Sequence, residues 1–274
     1  MDACVHDSLR AEAALPVVEI LSAQKDFPGG VRGLDPVSLT IRPGEFVSLI
    51  GPSGCGKSTL LKLIAHLIEP SEGRLLWWRG GFDRVGQEGR RLAFVFQEPT
   101  LMPWASVAAN VRLPLDLASV PKAEAAARLA TALEQVELAD RAGAMPRHLS
   151  GGMRMRVSIA RALVTDPDLL LMDEPFGALD EFTRNRLDED LLALSHECGL
   201  TTIFVTHSIS EAVFLSTRVV VMAAQPGRIF AEYRIDEPQP RGEEFRLSDS
   251  FTAHARELSR LLHAASVASR GDAR

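Results

Sequence analysis

The strongest constraint on this chain is a glycine-rich loop, Gly-Pro-Ser-Gly-Cys-Gly-Lys-Ser-Thr, at residues 51–59. The loop follows the apolar run 46–50 and precedes a helical pattern over residues 57–67. Gly51, Gly56, Lys57 and Ser58 satisfy the spacing G-x-x-x-x-G-K-[ST]. Glycines let successive backbone N–H groups approach phosphate oxygens, and the following helix adds its positive end. A strand, this loop and a helix in that order predict an α/β fold with a nucleotide phosphate site.

Individual loop residues have distinct expected roles. Lys57 is expected to reach the β- and γ-phosphates, and the Ser58 hydroxyl is expected to bind Mg²⁺. The other expected nucleotide contacts are Gly51, Pro52, Ser53, Gly54, Cys55, Gly56 and Thr59.

Cys55 lies within this loop, close to a helix N-terminus, where the pKa of a thiol tends to fall. Alkylation of Cys55 is therefore expected to inactivate the protein, with bound ATP protecting it. The alternative is a small residue tolerated at a variable loop position.

A second apolar run, 169–172, ends in the carboxylates Asp173 and Glu174. Acidic residues at the carboxyl end of a buried parallel strand face the crevice where ligands bind. Asp173 is therefore expected to hold Mg²⁺, and Glu174 to polarise a water for attack on the γ-phosphate. An acidic turn without function is the alternative, and it is weakened by the phosphate loop upstream.

Short apolar runs alternate with helical patterns along the chain, which is typical of α/β layering. Residues 1–16 are expected to be a flexible lead-in and residues 17–237 a nucleotide-binding domain with a helical subdomain at about 98–165. Residues 238–274 are expected to form a helical appendage, begun by Ser248 or Asp249. Its apolar face holds Phe251, Leu258, Leu261 and Leu262, which favours a packing helix over a regulatory or partner-binding one. The expected strands are 17–21, 37–41, 46–50, 74–78, 92–96, 169–172, 202–205 and 218–222. The expected helices include 57–67, 153–164 and 181–197.

Composition limits the remaining classes. A net charge of −6 gives no overall attraction to nucleic acid. Cys4, Cys55 and Cys198 are too scattered for a disulfide framework, which favours a reducing compartment. No apolar run reaches 18 residues, and the first residues do not resemble a signal peptide. A membrane role would therefore require docking on another chain.

The segment Leu149-Ser150-Gly151-Gly152-Met153 resembles the signature motif of ATP-binding-cassette (ABC) ATPases. The resemblance implies a P-loop NTPase core with a mixed sheet, an antiparallel β subdomain and an inserted α-helical subdomain. It also implies a head-to-tail dimer, in which Ser150, Gly151 and Gly152 contact ATP held by the partner. ATP and Mg²⁺ are the implied cofactors.

Other landmarks of the ABC family follow in order. Phe27 resembles the aromatic residue that stacks on adenine, and Gln97 the glutamine that touches Mg²⁺ and the attacking water. Asp180 resembles the acidic residue of the loop that crosses the dimer interface, and His207 the switch histidine at the γ-phosphate. The chain departs from the family pattern at three positions, which are Phe27 for tyrosine, Met155 for glutamine and His66 for glycine.

Three segments, 101–104, Asn110-Val111 and 225–229, resemble importer ATPases for nitrate, sulfonates and taurine. This implies permease subunits that dock on residues 97–114, with Trp104 and Met102 as apolar anchors. It also implies a second copy of the chain, an indirect partnership with a substrate-binding protein, and a peripheral position on the cytoplasmic face of the membrane. Packing of Trp104 and Met102 within the helical subdomain is the alternative reading.

Three other functions stay open. They are the ATPase of an exporter, a soluble ABC ATPase acting on DNA or ribosomes, and a phosphate-loop kinase. The last is disfavoured by the signature at 150–153. The sequence does not name the cargo.

Overall fold

The computed structural model describes residues 15–87 and 89–271. Most of the expected lead-in at 1–16, with Cys4, lies outside the described residues. The strands are β1 (Val18–Phe27), β2 (Val31–Ile41), β3 (Phe46–Ile50), β4 (Glu72–Trp77), β5 (Leu92–Val95), β6 (Leu169–Asp173), β7 (Thr201–Val205), β8 (Arg218–Ala223) and β9 (Arg228–Arg234). The helices are α1 (Lys57–Ile64), α2 (Val107–Leu117), α3 (Lys122–Gln135), α4 (Gly151–Leu163), α5 (Glu181–Glu197), α6 (Ile209–Leu215), α7 (Glu243–Arg246) and α8 (Asp249–Gly271).

The strands form two sheets, which confirms the predicted fold class. The smaller sheet is antiparallel, in the order β2-β1-β4. The larger sheet has the order β5-β6-β7-β3-β8-β9, and only β9 runs antiparallel to its neighbour. Because β6, β7 and β3 are parallel neighbours, their carboxyl ends meet at one edge of the sheet. The loops after these three strands carry Glu174, His207 and the phosphate loop, and Gln97 follows the neighbouring strand β5.

The central strands owe their position to their composition. Every residue of β3 and β7 is buried, as are the first four residues of β6. Near-continuous apolar runs suit a parallel sheet covered on both faces. One apolar core fills the space between the two sheets and α1, and another joins the larger sheet to α2–α5. The phosphate site therefore rests on a rigid base.

Element boundaries agree with the sequence where one pattern runs uninterrupted. The bounds of β3, Phe46–Ile50, and of α5, Glu181–Glu197, match the predicted ones. Strands β1 and β2 are longer than predicted, because their pairing contains register shifts and Ser22 has a φ of 49°. Such bulges interrupt the alternation of apolar and polar residues that marks a strand.

Two departures from the family pattern have structural explanations. His66 follows α1 with a φ of 54°, a left-handed conformation that glycine adopts at lower cost. Its imidazole stacks on Phe82, with ring centroids 4.4 Å apart, and meets the edge of Trp77. Met155 lies on α4 and is buried in the core that joins this helix to the larger sheet.

The C-terminal helix α8 packs on the larger sheet. Ser248 begins it, because the Ser248 hydroxyl accepts a hydrogen bond from the amide of Phe251. Leu258 is fully buried in a third apolar cluster with residues of β8 and α6. These contacts support the packing-helix interpretation. No helix among the described residues is long and apolar enough to cross a membrane.

Candidate nucleotide site

The phosphate loop joins β3 to α1 and depends on two glycines. Gly54 and Gly56 have φ values of 78° and 89°, which favour glycine. A Cβ on Gly56 would also lie 2.5 Å from a methyl carbon of Leu34. Lys57 is buried, and its ammonium donates to the carbonyls of Gly51 (2.9 Å) and Pro52 (3.3 Å). The loop thus curls around the lysine ammonium.

The expected fall in the pKa of the Cys55 thiol is wrong. Its side chain is 0% exposed, and burial raises the pKa of the thiol despite the ammonium of Lys57 at 3.9 Å from Sγ. Sγ also lies 2.7 Å from where a Cβ on Gly51 would be. Desolvation of the thiolate outweighs the positive helix end and the lysine together. The residue packs beneath the loop, and an alkylating reagent would meet it only after the loop opened.

Ser58 and Asp173, two of the residues predicted to bind Mg²⁺, are in contact. The Ser58 hydroxyl donates to Oδ1 of Asp173 at 2.8 Å, although 115 residues separate them in sequence. Burial raises the pKa of Asp173, and Glu174 raises it further, while the Ser58 hydrogen bond lowers it. Hydroxyl and carboxylate oxygens are the hard donors that Mg²⁺ prefers. The two residues therefore fit the ion and would hold it, and the bound ion would supply positive charge to stabilise the charge that develops on the phosphate.

Glu174 is held in an unusual backbone conformation at the end of β6. Its φ is 46°, and its amide donates to the carbonyl of Val205 on β7. A non-glycine residue with a left-handed φ is strained, and such strain clusters at functional sites. The strained turn aims the carboxylate toward His207, whose Nδ1 lies 3.5 Å from Oε2 of Glu174.

Gly177 marks the point where Glu174, His207 and Gln97 come together. Its amide donates to the Glu174 carbonyl at 3.2 Å. A Cβ on Gly177 would lie 3.5 Å from Cε1 of His207 and 4.0 Å from Nε2 of Gln97. Acid, amide and imidazole thus surround one small volume beside the phosphate loop. That arrangement can orient a water and a γ-phosphate.

A cavity of about 480 Å³ opens next to the loop and Glu174. Phe27 forms one wall, and its ring packs so closely on Gly33 that a Cβ there would lie 2.5 Å from Cε2. Six lining residues are not among the predicted site residues: Val31, Arg32, Gly33, Gln225, Pro226 and Gly227. From sequence, the segment 225–229 is predicted only to resemble importer ATPases. No local pattern indicates that its residues 225–227 lie beside a phosphate loop about 170 residues earlier.

Gly227 holds two loops of this cavity in place. Its carbonyl accepts from the Asp35 amide at 2.8 Å, and its amide donates to the Gly33 carbonyl at 3.3 Å. A Cβ on Gly227 would lie 2.4 Å from the Cys55 carbonyl oxygen and 2.8 Å from that of Gly33.

We therefore expect Gly227→Ala to displace the phosphate loop and to raise the Kd for ATP about tenfold, through overpacking of roughly 1–3 kcal/mol. Nucleotide titration would measure this effect. Gly143→Ala is the control, because Gly143 has open space around it, no left-handed φ and no place in the cavity lining. An unchanged Kd for Gly227→Ala would contradict the clamp.

The signature segment lies elsewhere on the chain. Ser150 begins α4 and its hydroxyl accepts from the Met153 amide at 3.2 Å. Helix α4 starts at Gly151, two residues earlier than predicted. Gly152 is buried, and a Cβ there would lie 2.8 Å from a methyl carbon of Thr183. The Asp180 carboxylate accepts from the Thr183 amide at 2.9 Å, which lowers the pKa of Asp180.

These residues border a second cavity of about 390 Å³, which Ser150 and Gly152 line together with Phe182 and Thr183. It has no lining residue in common with the cavity at the phosphate loop. The structure thus brings Phe27, Asp173 and Glu174 to the phosphate loop, and it brings Gln97 and His207 together beside Glu174 and Gly177. It does not bring Ser150, Gly151, Gly152 or Asp180 there.

Comparison with known proteins identifies sequences and structures that are similar to this chain. Residues 34–177 match the ABC transporter family. The chain is 45% identical to the taurine import ATP-binding protein TauB of Rhizobium johnstonii over 85% of this chain and 90% of the relative. It is 47% identical to the aliphatic sulfonates import ATP-binding protein SsuB 1 of Xanthomonas axonopodis pv. citri over 76% of this chain and 82% of the relative. Among solved structures, the ATP-binding cassette MJ0796, a post-hydrolysis dimer with ADP and Pi, is similar with a TM-score of 0.70 and 32% identity, covering 81% of this chain and all of that chain.

Proposed function

The chain belongs to the ABC transporter family and is an ATP hydrolase of that family, and from this premise we propose that it powers uptake of a small anion through a separate permease. The proposed cargo class is an aliphatic sulfonate, taurine or nitrate. The proposed working form is a homodimer on the cytoplasmic face of the membrane, where a substrate-binding protein delivers cargo to the permease.

One observation supports the proposed homodimer. The phosphate loop and the signature segment line two cavities with no residue in common. Each has the same chemistry, which is a helix N-terminus with small residues that let a phosphate approach. A second copy placed head to tail would bring Ser150, Gly151 and Gly152 onto the triphosphate held at the first copy's Lys57. The dimeric MJ0796 cassette supports this arrangement.

In the proposed mechanism, Lys57 and the loop amides hold the triphosphate, and Ser58, Asp173 and Gln97 hold Mg²⁺. Glu174 accepts a proton from the attacking water, whose position Gln97 helps to set. His207, 3.5 Å from Glu174, donates to the γ-phosphate and orients the acid. Asp180 crosses the dimer interface, and Phe27 stacks on adenine. ATP binding favours the closed dimer, and hydrolysis loosens it.

The proposed permease contact is the segment 97–114. Trp104 is 76% exposed, so the alternative of a core tryptophan has no support. The buried Asn110 amide holds the loop, donating to the carbonyls of Met102, Ala105 and Ser106 and accepting from the Met102 amide at 2.7 Å. Arg161 secures the preceding turn by donating to the carbonyls of Pro99 and Thr100. A rigid loop that projects a large indole suits a helix-in-groove contact.

We expect Trp104→Ser to lower recovery of the permease with the tagged chain by roughly 10- to 100-fold, because buried tryptophans dominate interface energies. Basal ATPase activity of the isolated chain should not change. Leu117→Ser is the matched control, since Leu117 is also an exposed apolar residue of the same helical region. Loss of the permease with Leu117→Ser but not with Trp104→Ser would contradict the proposed docking at residues 97–114.

Two experiments test the importer assignment. Mass spectrometry identifies the permease chains recovered with the tagged protein. ATP hydrolysis is then measured after reconstitution with that permease and its substrate-binding protein. Stimulation of ATP hydrolysis by taurine, an alkanesulfonate or nitrate is the expected result. Stimulation of ATP hydrolysis only by a cationic cargo such as a polyamine would contradict the proposal of an anionic cargo. Recovery of a permease that exports its cargo would contradict the importer proposal.

A further inference from the structure

Helix α6 begins directly after His207, since Ser208 is its N-cap residue. Whatever fixes this helix therefore fixes the backbone that carries the histidine. Two arginines from the C-terminal segment, Arg241 and Arg246, contact α6. Neither belongs to a known motif of the nucleotide site, and neither lines the nucleotide cavity.

Arg241 caps the C-terminal end of α6. It is 6% exposed, and its guanidinium donates to the carbonyls of Val213 (2.8 Å), Phe214 (3.0 Å) and Ser216 (2.9 Å). A cation at this end of a helix binds carbonyls that lack intrahelical partners and complements the helix dipole. Burial lowers the pKa of Arg241 to about 10, which leaves it charged at neutral pH. It also donates to the carbonyls of Ile235 and Glu237, and so ties α6 to the chain after β9.

Arg246 holds the side of the same helix. Its guanidinium carbon lies 3.7 Å from the centroid of the Phe214 ring, in a cation–π contact. The same group donates to Oδ2 of Asp188 at 2.7 Å, and Asp188 is fully buried on α5. Arg246 therefore links α6 to α5, the helix that follows the loop of Asp180.

The N-terminal end of α6 belongs to the same network. Glu211 accepts a short hydrogen bond from the Thr206 hydroxyl, and that hydroxyl accepts from the Ser208 amide at 2.9 Å. The residues on both sides of His207 are thus bonded to one helix. Arg184 lies 3.8 Å from Oε1 of Glu211 and donates to the Leu179 carbonyl at 2.7 Å. The network so reaches the residue before Asp180.

Burying the charged side chains of this network costs free energy. Burial raises the pKa of both Asp188 and Glu211, and one oxygen of each, Oδ1 and Oε1, has no hydrogen-bond partner. Apolar side chains of similar volume are often as stabilising as a buried ion pair, or more so. Directional contacts instead fix one relative position of the elements that they join. Here those elements are α5, α6 and the C-terminal segment.

We propose that Arg241 and Arg246 are positioning residues, through which the C-terminal segment sets the place of His207 and of the Asp180 loop for hydrolysis. The inference rests on the proposed role of His207 at the γ-phosphate. Because neither arginine touches the nucleotide cavity, the network acts on turnover and not on nucleotide binding.

The test compares Arg241→Gln and Arg246→Gln with wild type in the full-length protein. A displacement of about 1 Å at a reacting group can lower the rate about 100-fold, so we expect kcat for ATP hydrolysis to fall roughly 10- to 100-fold. The Kd for ATP is expected to stay within about twofold, since no residue that contacts nucleotide changes. Arg260→Gln is the control, because the exposed Arg260 is bonded to Glu257 on its own helix.

Arg246→Lys separates positioning from simple folding. Lysine keeps the charge beside Asp188 but loses the planar group over Phe214, so an intermediate kcat with a near wild-type melting temperature is expected. Wild-type kcat in both glutamine variants would overturn the proposal. A fall in kcat that only follows the folded fraction across the Gln and Lys variants would overturn it as well. His207→Ala tests the premise separately, because full activity in that variant refutes the role of His207 whatever the arginine variants do.

Discussion

Glu174→Gln should lower kcat for ATP hydrolysis by about 10²- to 10⁴-fold, the usual contribution of a positioned general base. Glutamine keeps the size and shape of the side chain but accepts no proton at neutral pH. ATP affinity should remain near wild type, because the phosphate loop and the Ser58–Asp173 pair do not change. The substitution therefore isolates the chemical step from binding.

The same variant should accumulate as a dimer when ATP and Mg²⁺ are supplied. Hydrolysis is the step expected to open the two composite sites, so blocking it leaves both triphosphates between the copies. Size-exclusion chromatography with and without Mg-ATP would measure the shift. Glu134→Gln, at an exposed carboxylate of α3, should behave as wild type. A variant that stays monomeric with Mg-ATP, or that hydrolyses at the wild-type rate, would contradict the assignment of Glu174.

Local sequence patterns predict the structure correctly where one short segment contains all the residues that determine it. The run Phe46–Ile50 is apolar except at Ser48 and ends at a glycine loop, so the sequence predicts strand, loop and helix together. Asp173 and Glu174 follow a four-residue apolar run, and parallel pairing with β7 then carries them to the same edge of the sheet. The contact between Ser58 and Asp173 follows from that topology, although 115 residues separate the two in sequence.

Patterns failed where burial is decided by distant residues. The charge environment predicted for Cys55 was largely present, yet desolvation beneath the loop dominates the pKa of its thiol. Gly227 carries no sign in sequence of its closeness to Cys55 and Gly33. Arg241 and Arg246 lie in a segment that periodicity describes only as an appendage, because a guanidinium that caps another helix leaves no local repeat.

Lys57→Ala should abolish measurable ATP binding at ordinary concentrations. Lys57 is the buried cation of the phosphate loop, and its ammonium already lies among loop carbonyls at 2.9 and 3.3 Å. Two charge-assisted hydrogen bonds to phosphate oxygens, at about 1.5–3 kcal/mol each, correspond to a rise in Kd of roughly 10²- to 10⁴-fold. Turnover should fall with occupancy. Glu174→Gln, in contrast, should bind ATP and fail to hydrolyse it.

Fluorescent-nucleotide titration, with thermal unfolding measured in parallel, would test the lysine. Lys62→Ala is the matched control, because Lys62 lies on the same helix α1 but is exposed. Lys57→Met adds a second arm, since methionine keeps most of the side-chain length and removes the charge. If the loss came from a collapsed loop, the methionine variant would bind better than the alanine variant. If it comes from the missing charge, both variants should bind equally poorly while melting near wild type. Affinity close to wild type in both would mean that the loop does not hold the triphosphate through Lys57.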